Sequence, residues 1–303
     1  MPDIAAVAGG NTPNTAPPTG ISDAATADFQ AVNFLENLES AFFAAGIKNL
    51  TAWNKDGYLD EAIKVVTAVH AQELIHVETA EAILKANNKA TFSPCQYTFP
   101  VTTAAEFLNL ASIITTVGIG GVINIVSGLA LSDPKLVQGP ASILAIESRH
   151  DAFFRQQISK NLLPNPAPFD TRLSARYALN LAAPFLVKDS CKAKPAFKPL
   201  PGLKAEVKGA TAGTKGPITF TFGADVAKAD YEGKTMYIGW VNQANKVAYT
   251  AATVTEGKVE STIAETAVMG GIAFAALTGQ NQAVDVNALT DVTVAGPAPV
   301  RIS

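Results

Sequence analysis

The chain has 303 residues, which is enough for two domains with hydrophobic cores of their own. Its 23 Lys and Arg residues are balanced by 26 Asp and Glu residues, which argues against nucleic acid as a partner, because a nucleic-acid-binding protein shows a basic stripe. Only two cysteines are present, so a cysteine-type zinc cluster is excluded and any metal site must use carboxylates and histidines.

The N-terminal segment, residues 1–22, is rich in Pro, Gly, Asn, Thr and Ala and carries one charge. This composition predicts a flexible tail. The segment lacks the basic start and the continuous apolar stretch that are typical of a signal peptide.

Residues 23–190 show the apolar spacing of helices. Ser22 and Asp23 are the expected N-cap of the first helix, which we expect to end near Gly46. The later helices are expected at about 58–87, 102–132, 138–161 and 169–186. Four long helices joined by shorter segments predict an antiparallel four-helix bundle.

One of these helices is unusually apolar, since residues 107–132 contain no charged side chain. Such a segment is long enough to cross a bilayer. It also contains polar residues, among them Asn109 and Asn124, and no basic cluster flanks it. A helix buried on all sides of a soluble bundle is therefore favoured over a transmembrane span.

The composition changes after Cys191. Residues 191–203 are rich in Pro and Lys and are expected to form a linker. Residues 204–303 contain short β-type runs, separated by Gly, Asn and Asp at intervals of roughly 8–12 residues, which predict a small antiparallel β-sandwich. Its expected core aromatics are Phe220, Phe222, Tyr237, Trp240 and Tyr249. The whole chain is thus expected to be a multi-domain α and β protein.

Cys95 and Cys191 both lie in loop-like stretches, and two interpretations are open. They are either two unrelated thiols or one disulfide of a secreted protein. The low content of charged residues and the glycosylation sequon Asn49-Leu50-Thr51 favour the disulfide.

Two of the three histidines occupy the same local pattern, in Glu73-Leu74-Ile75-His76 and in Glu147-Ser148-Arg149-His150. Residues three apart project from one face of a helix. A single Glu-x-x-His pair is most often a chance hydrogen-bonded pair. Two copies on facing helices can instead hold a pair of metal ions, because each His offers one nitrogen ligand and each Glu can bridge the two ions.

The first helix offers further carboxylates for such a site, Glu36 and Glu39, which share a face. The uncharged third helix offers none at the matching level. Glu106 lies nine residues before Thr115, about 13 Å away along a helix axis.

Three runs carry a family resemblance: LENLESAFF at 35–43, QELIHVETAEAIL at 72–84 and ILAIESRHDAFF at 143–154. They resemble the ferritin-like family of desiccation-related and fungal stress-response proteins, over about residues 23–190. The resemblance implies a ferritin-like four-helix bundle in a protein that is secreted or held at the cell surface.

The resemblance also implies a ligand set. The matching positions are Glu36, Glu73, His76, Glu147 and His150, and Glu39 matches a second acidic position of the family. The chain departs from the pattern on the third helix, where Thr115 occupies the acidic position. The implied site is therefore a partial two-metal site for iron or manganese, or a cluster that holds no metal.

Two functions follow, and the sequence leaves open whether the protein is an enzyme. The first is a metal-binding ferritin-like stress protein, with weak oxidase or peroxide-scavenging chemistry. The second is a non-catalytic extracellular structural protein with a decayed site, whose β-domain contacts the cell wall or matrix or mediates self-association.

Overall fold

The computed structural model describes residues 3–55, 57–206, 216–264 and 269–302. The chain forms two compact units. The first consists of Met1–Gly118, Ile125–Asn161 and Ala182–Ala196, and the second of Ile119–Asn124, Leu162–Leu181 and Phe197–Ser303. The domain boundary expected at 191–203 stays a prediction, since the second unit also includes two segments that precede it.

The first unit is helical. Its helices are α1 (Ile4–Ala8), α2 (Asp23–Trp53), α3 (Asp60–Ala86), α4 (Ala104–Ser132, apart from residues 119–124) and α5 (Gln138–Ile158). The Ser22 side chain accepts a hydrogen bond from the Ala25 backbone N–H. The Thr103 side chain accepts one from the Glu106 backbone N–H. These caps satisfy N–H groups that the first helical turn leaves unpaired.

Helix α2 continues past Gly46, the residue at which we expected it to end, and stops at Trp53. A Cβ atom on Gly46 would lie 2.3 Å from ring atoms of Phe107 on α4. Gly46 therefore allows two helices to approach closely, and the expectation that it ends the helix is wrong.

Helices α2–α5 do not simply alternate in direction. One shared core contains Phe42 of α2, Val66 of α3, Phe107 of α4 and Phe154 of α5. Val66 and Phe107 both lie in the first half of their helices, so α3 and α4 run in the same direction. The expected antiparallel bundle is thus corrected to two antiparallel pairs, α2 with α3 and α4 with α5.

Two parallel helices need a connection that runs their full length, and residues 87–103 provide it. The backbone N–H of Phe92 donates to Asn33 Oδ1 near the start of α2, at 2.7 Å. Further on, Phe99 packs edge-on against Phe42, with ring centroids 5.0 Å apart. The connection therefore follows α2 from one end of the helices towards the other.

Cys95, within this connection, forms a disulfide with Cys191, which confirms the predicted bond, whereas secretion stays a prediction. An isolated β-bridge joins Tyr97 to Leu186 beside it, and the Val187 backbone N–H donates to the carbonyl of Gln96. The disulfide thus links the α3–α4 connection to the chain that follows the helices.

The N-terminal segment also makes specific contacts. The Ala8 carbonyl, at the end of α1, accepts a hydrogen bond from Gln72 Nε2 at 3.1 Å. Asn87 Oδ1 accepts one from the Gly20 backbone N–H at 2.8 Å. The segment expected to be a flexible tail thus has anchoring contacts that its composition does not reveal.

Helix α4 is the one described helix that is long and apolar enough to cross a membrane, with a mean hydropathy of 1.9 over its most apolar window. Of that window, 56% is buried inside the protein. This burial favours a core helix over a membrane span.

The second unit contains an antiparallel sheet in the order β1-β2-β5-β4-β3-β6-β7. Its strands are β1 (Leu203–Ala205), β2 (Pro217–Phe222), β3 (Met236–Val241), β4 (Ala248–Thr255), β5 (Lys258–Thr262), β6 (Gly271–Thr278) and β7 (Thr293–Ile302). The unit also contains most of α6 (Ala175–Ala182) and the short helix α7 (Val286–Asp291).

This sheet differs from the expected β-sandwich. Strand β4 pairs with β3 on one side and with β5 on the other, which joins the strands into one sheet. Its two edges approach each other, since the Gly296 backbone N–H of β7 donates to the carbonyl of Pro201, just before β1, at 2.8 Å. The result is a single, nearly closed, barrel-like sheet.

Other expectations for this unit have mixed outcomes. Phe220, Phe222 and Trp240 are buried in its core, as predicted, whereas Tyr237 and Tyr249 are only partly buried. Residues 283–289 lie in the region expected to consist of β-type runs, yet they include the start of α7. The Asp285 side chain caps that helix by accepting from the Ala288 N–H, a signal that the sequence contained.

Asn180 of α6 is expected to be important for the stability of the second unit. Its buried amide donates to the carbonyl of Gly296 and accepts from the backbone N–H of Leu200, both at 2.9 Å. Asn180→Ala should lower the free energy of unfolding by about 2–3 kcal/mol, because two buried backbone groups lose their partner. Urea unfolding against an Asn161→Ala control, at an exposed position, measures this; equal midpoints would contradict it.

Candidate metal centre

The six residues predicted as site residues are all buried in the middle of the helical unit. They are Glu36 and Glu39 of α2, Glu73 and His76 of α3, and Glu147 and His150 of α5. The spacing of three residues within each pair places both side chains on the inner face of their helix. The structure therefore brings three carboxylate- or histidine-bearing helices together at one level.

His76 lies among three carboxylates. Its Nδ1 atom is 2.9 Å from Glu73 Oε2, 3.3 Å from Glu147 Oε1 and 3.5 Å from Glu36 Oε2. One ligand atom from each of these four residues lies within 4.8 Å of the others. Four converging ligand atoms of these types are a suitable donor set for a divalent transition metal.

His150 lies on the other side of the same two shared carboxylates. Its Nδ1 atom is 3.3 Å from Glu73 Oε1 and 3.5 Å from Glu147 Oε2. Glu73 and Glu147 thus each direct one oxygen towards His76 and the other towards His150. This is the arrangement that two carboxylates need in order to bridge a pair of metal ions.

Several atoms of this cluster are buried without a hydrogen-bond partner among the described residues. They are Glu36 Oε2, Glu39 Oε2, Glu73 Oε1, both carboxylate oxygens of Glu147, and His150 Nδ1. An unpaired buried polar atom costs about 1–3 kcal/mol, and more if it is charged. A cation would satisfy these atoms together, so the residues present fit a metal site.

The two histidines are held in their charged form. Burial alone would lower their pKa values, but the carboxylates outweigh it. The carboxylates of Glu147 and Glu73, at ion-pair distance from its Nδ1 atom, raise the pKa of His150 to about 10. The charge of Glu36 and the close contacts with all three carboxylates raise the pKa of His76 well above its usual range. In the metal-free cluster, the imidazolium groups therefore serve as the counterions of the carboxylates.

The carboxylates respond differently to the same surroundings. Burial raises the pKa of Glu36 to about 8, although the nearby imidazolium opposes this. Burial and then the charge of Glu147 raise the pKa of Glu39 above its usual range. For Glu73, the close contacts with His150 and His76 overcome burial, and its pKa falls below the usual range. Glu73 is thus ionised at neutral pH.

The inner face of α4 contributes no carboxylate at this level. Ser112 Oγ donates to Asp151 Oδ1 of α5 at 2.6 Å, and a Cβ on Gly118 would lie 2.9 Å from Glu39 Oε1 of α2. Thr115 lies midway between these two contacts on the same helix face, and its side chain is fully buried. That Thr115 occupies the acidic position of the family pattern stays a prediction.

Sequence reasoning missed Gln72, although it directly precedes Glu73. Its Oε1 atom lies 2.7 Å from His150 Nε2, and its amide nitrogen donates to Ala8. When His150 Nε2 donates to Gln72, Nδ1 is left free to face the cluster. No signal in the sequence distinguishes this glutamine from an ordinary helix-surface residue.

Two further cationic residues are close to the cluster in sequence, Arg149 and His70, but within the described part of the chain they do not pair with it. Arg149 is exposed on the outer side of α5. His70 is half-buried, and burial lowers its pKa although the charge of Glu73 opposes this, so His70 tends towards its neutral form. The charge compensation therefore comes from His76 and His150 themselves.

Four long helices around a buried carboxylate and histidine cluster define the helical unit as a ferritin-like domain. In agreement, residues 27–160 match the sequence model of a family described as a ferritin-like domain. This range covers the cluster and supports the ferritin-like family; the narrower desiccation-related or fungal stress-response group stays a prediction. No curated protein matches the chain.

Proposed function

We propose that the ferritin-like domain binds divalent iron or manganese at Glu36, Glu73, His76 and Glu147. The convergence of these four buried ligand atoms within 4.8 Å carries the proposal. Mixed carboxylate and imidazole donors suit both metals. His150 and Glu39, the other two predicted ligands, lie beside this group.

The residues have distinct tasks in this proposal. Glu36 and His76 would hold the first ion, and Glu73 and Glu147 lie between the two histidines and would contribute to both positions. When bound, iron or manganese supplies redox chemistry with oxygen species. The surrounding apolar side chains of α2–α5 exclude bulk water from the buried cluster, which strengthens its electrostatic interactions.

The proposal extends to where the protein acts. The disulfide supports an oxidising compartment, and the resemblance to desiccation-related and stress-response proteins supports a secreted or cell-surface stress role. The alternative, a structural protein with a decayed site, loses support from the retained cluster. Contacts of the β-sheet unit with matrix or with a second copy remain part of that alternative.

Metal analysis tests the proposal directly. Protein purified without chelators should contain iron or manganese. After its metal has been removed with a chelator, the protein should bind Mn²⁺ in a calorimetric titration. A chain that contains no metal as purified and takes up neither Mn²⁺ nor Fe²⁺ would refute the proposal while leaving the fold assignment intact.

Gln72 should influence metal affinity without being a ligand. Gln72→Leu removes the acceptor that orients His150, and we expect Mn²⁺ affinity to fall about 10–100-fold, as is usual when such an outer partner is lost. Gln72→Glu keeps an acceptor and should retain more affinity. Gln157→Leu, on the exposed side of α5, is the control. Competition against a metallochromic indicator measures all four proteins; equal affinities would show that Gln72 has no positioning role.

A further inference from the structure

We propose that Glu39 of α2 supplies the carboxylate that α4 lacks, and that it completes a second divalent-cation position together with His150 and the two shared carboxylates. This inference rests on the proposed function, because it concerns the same cluster. It assigns the second position to a ligand from a different helix than the sequence pattern implies.

The two histidines differ in their surroundings. His76 has Glu36 within 3.5 Å as a carboxylate of its own, in addition to Glu73 and Glu147. His150 contacts only the two shared carboxylates within ion-pair distance in the described ranges. A second cation beside His150 therefore needs one more anionic ligand, and α4 does not provide it.

Gly118 is the reason why Glu39 can take this place. A Cβ atom at residue 118 would approach Glu39 Oε1 to 2.9 Å, closer than real side chains come. The Glu39 carboxylate therefore extends from α2 to the backbone of α4, one helical turn from Thr115. The space that a side chain of α4 would occupy is filled by a carboxylate from α2.

Three buried atoms here are without hydrogen-bond partners in the part of the chain that the structure describes: Glu39 Oε2, Thr115 Oγ1 and His150 Nδ1. All three residues are more than nine-tenths buried. Leaving such buried polar atoms without a hydrogen bond is costly. A cation between Glu39 and His150 would offset this cost for both residues.

The charge balance points the same way. With Glu39, the cluster contains four carboxylates, which neutralise two divalent cations when the histidines are neutral. Without Glu39, three carboxylates would leave one positive charge uncompensated in a buried site, which is strongly unfavourable. The number of carboxylates thus matches two ions rather than one.

The test uses the full-length chain after its metal has been removed with a chelator. The chain is titrated with Mn²⁺, and electron paramagnetic resonance measures the concentration of free Mn²⁺. The parent should bind two ions. In Glu39→Gln, the second ion should bind about tenfold more weakly or not at all. Gly118→Ala displaces the same carboxylate without removing its charge and should act in the same direction. Gly121→Ala is the matched control, since its Cβ would meet only the Ala178 Cβ, at 4.0 Å.

A rescue variant separates a ligand role from a structural one. Thr115→Glu on the Glu39→Gln background returns a carboxylate to α4, and it should restore binding of the second ion. If the parent binds a single ion, or if Glu39→Gln binds two ions as tightly as the parent, this inference is overturned while the proposed function stands. If the parent binds no metal, both fall.

Discussion

The His76→Ala variant should lose Mn²⁺ binding almost completely, with an affinity at least about 100-fold below that of the parent. His76 faces three carboxylates, and even the loss of an outer partner of a metal ligand typically costs 10–100-fold. His70→Ala is the matched control, because His70 lies on the same helix and does not contact the cluster. Calorimetric titration of the three proteins measures the effect. Unchanged binding in His76→Ala, with the protein folded, would place the metal elsewhere.

The same titration should depend on pH in a defined direction. A metal ion binds neutral imidazole, whereas His150 is protonated below its pKa of about 10. Binding must therefore release protons, and each proton released makes the affinity rise about tenfold per pH unit. Between pH 6 and pH 8 we expect a steep rise. Calorimetry in buffers of different ionisation enthalpy counts the protons; a count of zero would contradict the charged state of the histidines.

Removal of the disulfide should have the largest effect on stability. The bond spans a sequence separation of 96 residues, and closing a loop of that length contributes about 4–5 kcal/mol in the chain-entropy model. The Cys95→Ser/Cys191→Ser double variant should lose a stability of this order. Urea unfolding followed by helical circular dichroism compares it with the oxidised and reduced parent.

Two results would contradict this prediction. The first is a midpoint of the double variant equal to that of the oxidised parent. The second is an intact mass that increases on alkylation of the unreduced, denatured parent, because that would reveal free thiols. A reduced parent that behaves like the double variant would show that the bond itself, and not the serine side chains, accounts for the loss.

The sequence predicted the helices and the cluster well, because their signals are local. Residues three apart share a helix face, so the two Glu-x-x-His pairs had to project together. The cap at Ser22 was visible for the same reason.

The direction of α4 and the role of Gly118 could not be predicted, because both depend on contacts between distant segments. Whether residues 87–103 turn back or run along α2 depends on side chains such as Asn33, far away in the sequence. Gly118 reads as a small residue in an apolar helix until the carboxylate of Glu39 is found against it. The closure of the sheet is likewise decided by pairing partners, which the spacing of the strands does not specify.

The disulfide divides the cluster into two covalently distinct halves. Helices α4 and α5 lie within the loop that Cys95 and Cys191 close, whereas α2 and α3 lie outside it. Glu147 and His150 therefore come from inside a covalent ring, and Glu36 and His76 from the free arm before it. An ion held by both groups would act as a second, reversible crosslink between ring and arm. Metal binding would then require that the two halves are packed against each other, because neither helix pair alone carries the whole ligand set.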